Sequence, residues 1–200
     1  VKRTINVPDS LKDITVGQYQ EWDKLMKKAQ MSTIRQKVVT VAIFCKEDIE
    51  TIEKLTLRSL NRIHEELAKV LDDAFKNELV RVIEINGTKY GFHPDMDEMT
   101  TGEWADLEEE MREAGDLWLS MPQVLSILYR PIVKRKWWKF WKKGYEIEPY
   151  SPKHIENAEV MKQVDMHTAS GMAVFFWRSA IESTKSIIQS IKLKMEAANQ

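Results

Sequence analysis

Apolar residues recur along this chain at two spacings, and the switch between them marks its elements. Leu57, Leu60, Ile63, Leu67, Val70, Leu71 and Phe75 keep the three-to-four interval of an amphipathic helix over 57–75. Ala173, Trp177, Ala180, Ile181, Thr184, Ile188, Ile191 and Met195 predict a second long helix over 173–195. Around Asn86-Gly87 the interval drops to two, with Val80, Val82, Ile83 and Ile85 on one side and Thr88, Tyr90 and Phe92 on the other. Asn-Gly supplies the two positive-φ residues of a two-residue turn, so this stretch predicts a β-hairpin. The run Ile34 to Cys45 is apolar nearly all round from Val38 onward. It reads as a buried helix capped by Ser32, with a strand as the competitor because Val38-Val39-Thr40-Val41 is β-branched.

A short pattern occurs twice. Ile5-Asn6-Val7-Pro8-Asp9 precedes Ile14-Thr15-Val16-Gly17-Gln18-Tyr19-Gln20-Glu21-Trp22, and Phe92-His93-Pro94-Asp95 precedes Met99-Thr100-Thr101-Gly102-Glu103-Trp104-Ala105-Asp106-Leu107. Each copy predicts a strand end, a Pro-Asp turn and a helix opened by a reciprocal cap, Thr15 with Gln18 and Thr100 with Glu103. Val38–Phe44 and Val124–Tyr129 then correspond as apolar runs, and a long amphipathic helix closes each half. The shared order implies a duplication, with an N-terminal half over 1–78 and a C-terminal half over 79–200 forming one body.

The remaining expectations fill in the halves. Tyr19, Trp22, Met26 and Ala29 share a helix face, and 47–54 forms a short acidic helix. Trp104, Leu107, Met111 and Trp118 face the core from one helix while Glu108, Glu109, Glu110 and Glu113 face out, with Gly115 as its break. Met121-Pro122 opens a helix through Tyr129 that Pro131 stops. Residues 145–150 form a short strand that pairs with 134–143 as an excursion. Ser151-Pro152 starts a helix, and Ala169-Ser170-Gly171 interrupts the chain before the last one. The fold class is mainly α with a small β-hairpin (α+β).

Charge narrows the partners. Charged residues make up 30% of the 200, yet the formal net charge is −1, so any basic contact must be local. Cys45 is the single cysteine, which removes disulfide frameworks and thiolate metal sites and fits a reducing cytosol or a particle assembled there. No apolar stretch has signal-peptide character or reaches the roughly 18 residues of a membrane span. His93, Asp95, Asp97 and Glu98 alternate as metal ligands could, but Met99 occupies the third ligand position and the loop reads as a turn and cap. His64, His154 and His167 lack ligand spacing, and H-E-x-x-H, G-x-S-x-G and Walker patterns are absent. The reading is therefore non-enzymatic, with no cofactor and no metal, and an enzyme with an unmarked site ranks last.

The segment Lys134-Arg135-Lys136-Trp137-Trp138-Lys139-Phe140-Trp141-Lys142-Lys143 departs from this pattern. It sets three Trp and one Phe among six cations. In a strand or a helix the aromatics fall on more than one side, so a ten-residue excursion is poorly placed to bury them. Arg135, Trp137, Trp138, Phe140 and Trp141 are the candidate partner-binding residues. A protein interface ranks first, because Trp and Arg serve there as desolvated anchors. Nucleic-acid stacking and a membrane surface rank behind it, since the rest of the chain is not basic.

Ile5-Asn6-Val7-Pro8, Ile14–Gln20, Thr100–Glu108, Leu128-Tyr129-Arg130-Pro131-Ile132 and Glu148-Pro149-Tyr150 together resemble a family of small proteins encoded in the structural modules of tailed bacteriophages, notably crAss-like and other phages of Bacteroidetes. The resemblance touches both halves. It implies a non-enzymatic virion part, a multi-copy component of the head–tail connector or tail, located in the virion and in the host cytoplasm during assembly. It equally implies a tail assembly chaperone absent from the mature particle. The expected partners are other phage structural proteins and copies of the chain itself. The Trp-rich insert lies outside the family pattern, and a nucleic-acid-binding role for it is the alternative from another class.

Overall fold

A computed structural model describes residues 4–28, 30–72, 78–114, 116–135, 144–156 and 158–176. The architecture is mainly helical, with a small antiparallel sheet. The helices are α1 (Val16–Lys28), α2 (Thr33–Cys45), α3 (Ile49–Glu53), α4 (Leu57–Asp72), α5 (Thr101–Ala114), α6 (Leu117–Leu128), α7 (Lys153–Glu156) and α8 over 166–176. Strands β1 (Val82–Ile85), β2 (Thr88–Phe92), β3 (Tyr129–Arg135) and β4 (Tyr145–Ile147) pair in the order β1-β2-β3-β4.

The hairpin turns at Asn86 and Gly87, both at positive φ, and pairs Ile85 with Thr88. The competition over 34–45 resolves as helix, with the Ser32 hydroxyl accepting from the Arg35 amide and Lys46 closing the end in the left-handed region. Both foreseen caps form. Thr15 N–H donates to Gln18 Oε1 at 3.1 Å while Gln18 N–H donates to Thr15 Oγ1 at 3.2 Å. Thr100 N–H donates to Glu103 Oε2 at 2.6 Å while Glu103 N–H donates to Thr100 Oγ1 at 3.2 Å. Each cap comes after a 3-10 turn, Leu11–Asp13 or Met96–Glu98, and Asp95 accepts from the Asp97 amide, as a turn-and-cap reading of that loop expects.

A third turn–cap–helix unit stands where the sequence pattern predicts none. After the 3-10 turn Ala158–Gln163, Asp165 Oδ1 accepts from the Thr168 amide at 2.8 Å and opens α8. This unit faces the first one. Val16 N–H donates to Val164 O and Met166 N–H to Ile14 O, both at 2.8 Å, so the caps Thr15 and Asp165 are bridged antiparallel. A single buried cluster draws Ile14, Phe44, Leu67, Leu107, Leu125, Tyr129 and Met166 from both halves.

Several expectations are corrected. Ile5–Val7 forms no strand; its side chains pack on the core without a ladder partner among the described residues. Pro122 does not open a helix but sits inside α6, which starts at Leu117 under an Asp116 cap. The amide that proline lacks would have bonded the Trp118 carbonyl. Gln20 of α1 replaces it, donating through Nε2 to Trp118 O at 3.1 Å and to Leu119 O at 2.8 Å. The helix ends at Leu128, and Tyr129 already belongs to β3, with Pro131 inside that strand. Trp118 consequently belongs to α6, where its ring meets Tyr19.

Trp104 is 43% exposed, because α5 turns Glu103 and Leu107 inward and Trp104 lies about 100° round the helix from Glu103. Leu57, at the first turn of α4, is exposed although Leu60, Ile63 and Leu67 are buried. Residues 169–171 do not interrupt anything: α8 runs through them, and a Cβ on Gly171 would lie 2.2 Å from the Glu78 carbonyl oxygen. That glycine admits a backbone rather than breaking a helix. Ala29, Phe75, Gly115 and the stripe from Trp177 onward lie outside the described residues.

Candidate functional site

Of the predicted pairing between 134–143 and 145–150, Lys134 opposite Glu146 and Arg135 opposite Tyr145 are present, in a strand that begins earlier, at Tyr129, and a partner strand that ends at Ile147; residues 136–143 lie outside the described residues. Strand β3 lies between β2 and β4, with Tyr90 opposite Pro131 on one side and Arg135 opposite Tyr145 on the other. Arg135 is thus the last residue of a hairpin arm. Trp137, Trp138, Phe140 and Trp141 fall in the connection to Tyr145 and lie outside the described residues. A register shift between Ile132 and Lys134 adds a bulge, where Val133 is exposed. Bulges increase local twist and re-aim the strand beyond them.

The base of this hairpin is held on three sides. The Tyr145 ring covers Gly91 of β2, where a Cβ would lie 2.3 Å from its nearest ring carbon. Its hydroxyl donates to Phe92 O at 2.6 Å and lies 2.9 Å from Arg81 O. Beyond β4, Glu148 N–H donates to Pro131 O at 2.9 Å. The neighbouring Tyr129 hydroxyl donates to Val80 O at 2.6 Å and is buried, which raises its pKa well above the usual phenol range.

The third anchor is a buried charge cluster. Arg130 Nη2 donates to Glu103 Oε1 at 2.7 Å, and the two residues are 3% and 2% exposed. Burial by itself would raise the Glu103 pKa. The amide and hydroxyl of Thr100, with the Arg130 guanidinium, outweigh that and hold it below the usual carboxylate range. His93 Nε2 lies 4.0 Å from the same carboxylate oxygen. Burial and the adjacent Arg130 charge depress the His93 pKa against the attraction of Glu103, so the ring is neutral near pH 7. Tyr150 covers the guanidinium at 5.8 Å, hydrogen-bonds Asp106 and stacks on His154 at 5.9 Å. His154 in turn approaches Glu148 at 3.7 Å.

This cluster ties β2, α5, β3 and the segment after β4 together. The Glu103 carboxylate serves both Thr100 and Arg130, which suits anchoring better than proton transfer to an outside group. Sequence reasoning missed it. The available signal was Arg130, a lone charge inside Ile127-Leu128-Tyr129-Arg130-Pro131-Ile132-Val133, because a charge buried in such a run needs a partner. His93, Asp95 and Asp97 do not converge: His93 turns to Glu103 while Asp95 caps its own loop. No group of three or more His, Cys, Asp or Glu with metal-binding geometry occurs among the described residues. Burial raises the Cys45 pKa to about 11, away from thiolate chemistry. Among the described residues no helix is long and apolar enough to cross a membrane. No protein-family model, curated protein or solved structure matches this chain.

Proposed function

We propose that this chain is a non-enzymatic assembly protein of a tailed-bacteriophage particle, a multi-copy part of the head–tail connector or tail that contacts its neighbour through the aromatic and cationic residues that follow β3 in the sequence. The supporting observation is the contrast within the β3–β4 hairpin. Its base is fixed by Tyr145 on Gly91 and by the buried Arg130–Glu103 pair, while its connection carries Trp137, Trp138, Phe140 and Trp141 among six cations. A rigid base lowers the ordering cost of presenting aromatic anchors to a partner. The phage setting rests on the family resemblance of the sequence. The virion, and the host cytoplasm before assembly, are the places this role requires.

Changing Trp137, Trp138 and Trp141 together to Ser is the test. The expected result is a monomer with an unchanged melting curve that no longer enters particles. Normal incorporation would overturn the contact, and an unfolded variant would assign the segment to the core. Mass spectrometry of purified particles separates the two roles within this reading: many copies per virion mark a structural part, and absence marks a chaperone. A contact that weakens steeply with added salt would favour a nucleic acid held by the six cations.

A further inference from the structure

The opposite edge of the sheet carries a second surface. In antiparallel pairing, hydrogen-bonded and non-hydrogen-bonded residue pairs alternate. Phe92 N–H donates to Arg81 O at 2.8 Å, and a two-residue turn separates Ile85 from Thr88, so Ile83–Tyr90 and Ile85–Thr88 are the bonded pairs within the hairpin. Val82 and Glu84 therefore point their N–H and C=O groups away from β2. Among the described residues, no backbone hydrogen bond reaches them.

Edge strands are ordinarily blunted by lysine, proline, a bulge or a covering element. Here the two outward-facing positions are a valine, 42% exposed, and a glutamate whose charge faces Lys89 of β2 at 3.8 Å, with no proline or bulge among them. The edge borders a cleft of about 280 Å3, walled on the far side by Gln163, Val164, Asp165 and His167.

We propose that this cleft takes an extended segment of a protein partner, added to β1 as a further strand. The unpaired groups define the occupant, because donors and acceptors repeating every second residue are matched by another strand. The wall at 163–168 limits it to one strand, which a second sheet is not. Ile83 and Ile85 face the core while Val82 and Glu84 face out. The added strand alternates likewise, with apolar side chains beside Ile83 and a cation opposite Glu84, whose carboxylate is 57% exposed and has Lys89 Nζ at 3.8 Å on the β2 side. This surface lies at the far edge of the sheet from the β3–β4 hairpin, so it stands or falls independently of the assembly role.

The probe is an acetylated, amidated hexapeptide, threonine-valine-lysine-valine-threonine-valine, titrated into the full chain and followed by amide NMR and hydrogen exchange. The expected result is saturable shifts at the Val82 and Glu84 amides, with both slowed in exchange by about tenfold or more. N-methylation of the threonine and lysine amides, which face β1, abolishes binding, and N-methylation of the valine amides leaves it. Glu84→Pro, which removes an amide that bonds nothing within the hairpin, weakens the wild-type interaction by about tenfold or more. Absence of shifts at Val82 and Glu84 up to millimolar peptide, or equal binding by the two methylated peptides, would overturn the proposal. The methylation comparison uses the unaltered protein, so it decides the question even if the proline variant fails to fold.

Discussion

Arg130→Met isolates the buried ion pair. The substitution keeps much of the side-chain length and removes the guanidinium, leaving the Glu103 carboxylate charged at 2% exposure with Thr100 and, at 4.0 Å, the His93 ring as its neighbours. A surface pair is worth about 0–1 kcal/mol, whereas stranding one member of a buried pair costs about 3–5 kcal/mol. The Arg130–Glu103 contact is made through Nη2, and Nε is buried without a partner among the described residues, which places the expected loss at the lower end, about 3 kcal/mol. Glu103→Gln should cost a similar amount by stranding the arginine, while its amide oxygen retains the Thr100 cap. The double variant Glu103→Leu/Arg130→Met strands no charge, and should be less destabilised than the sum of the singles, losing mainly the cap at about 1 kcal/mol. Urea unfolding followed by far-UV circular dichroism supplies all the values, with a constant slope confirming comparable unfolded states. A loss below about 1 kcal/mol for Arg130→Met would refute the reasoning, because it would mean that water screens the pair.

Gln20→Leu should destabilise by about 1–3 kcal/mol, because the Trp118 carbonyl that Pro122 leaves open loses its donor; thermal unfolding of this variant against a Gln20→Leu/Pro122→Ala double tests the link, and equal losses in both backgrounds would break it. Gly91→Ala should cost about 1–3 kcal/mol and displace the Tyr145 ring, read as loss of protection at the β3–β4 amides; an unperturbed hairpin would show that the ring does not rest on that glycine. Stability should fall as pH drops below about 6.5. His93 and His64 both have a lowered pKa when folded, so the unfolded chain binds more protons in that window, and the same direction continues at lower pH as the depressed Glu103 carboxylate is protonated. His93→Gln should flatten the upper part of that profile in part, leaving the His64 contribution, and an unchanged slope there would exclude His93 as a contributor.

Local chemistry was enough for the elements whose signals are local. Asn86-Gly87 fixes its turn because both residues tolerate positive φ, and Thr15–Gln18 and Thr100–Glu103 form their caps because each pair satisfies two amides that a helix start leaves open. The stripe Leu60, Ile63 and Leu67 finds the core because its spacing keeps one side of α4 apolar. The tertiary structure decided what depends on a distant partner. Pro122 reads as a helix start, yet it lies inside α6 because Gln20, far away in sequence on α1, supplies the missing donor. Gly171 reads as a break, but it marks where the Glu78 backbone presses on a helix. Glu103 reads only as a helix cap, and Arg130 draws it inside while Trp104 turns out to solvent. Periodicity assigns a residue to a face of its own element. Which face is buried, and against which charge, is set by contacts between elements that no local spacing encodes.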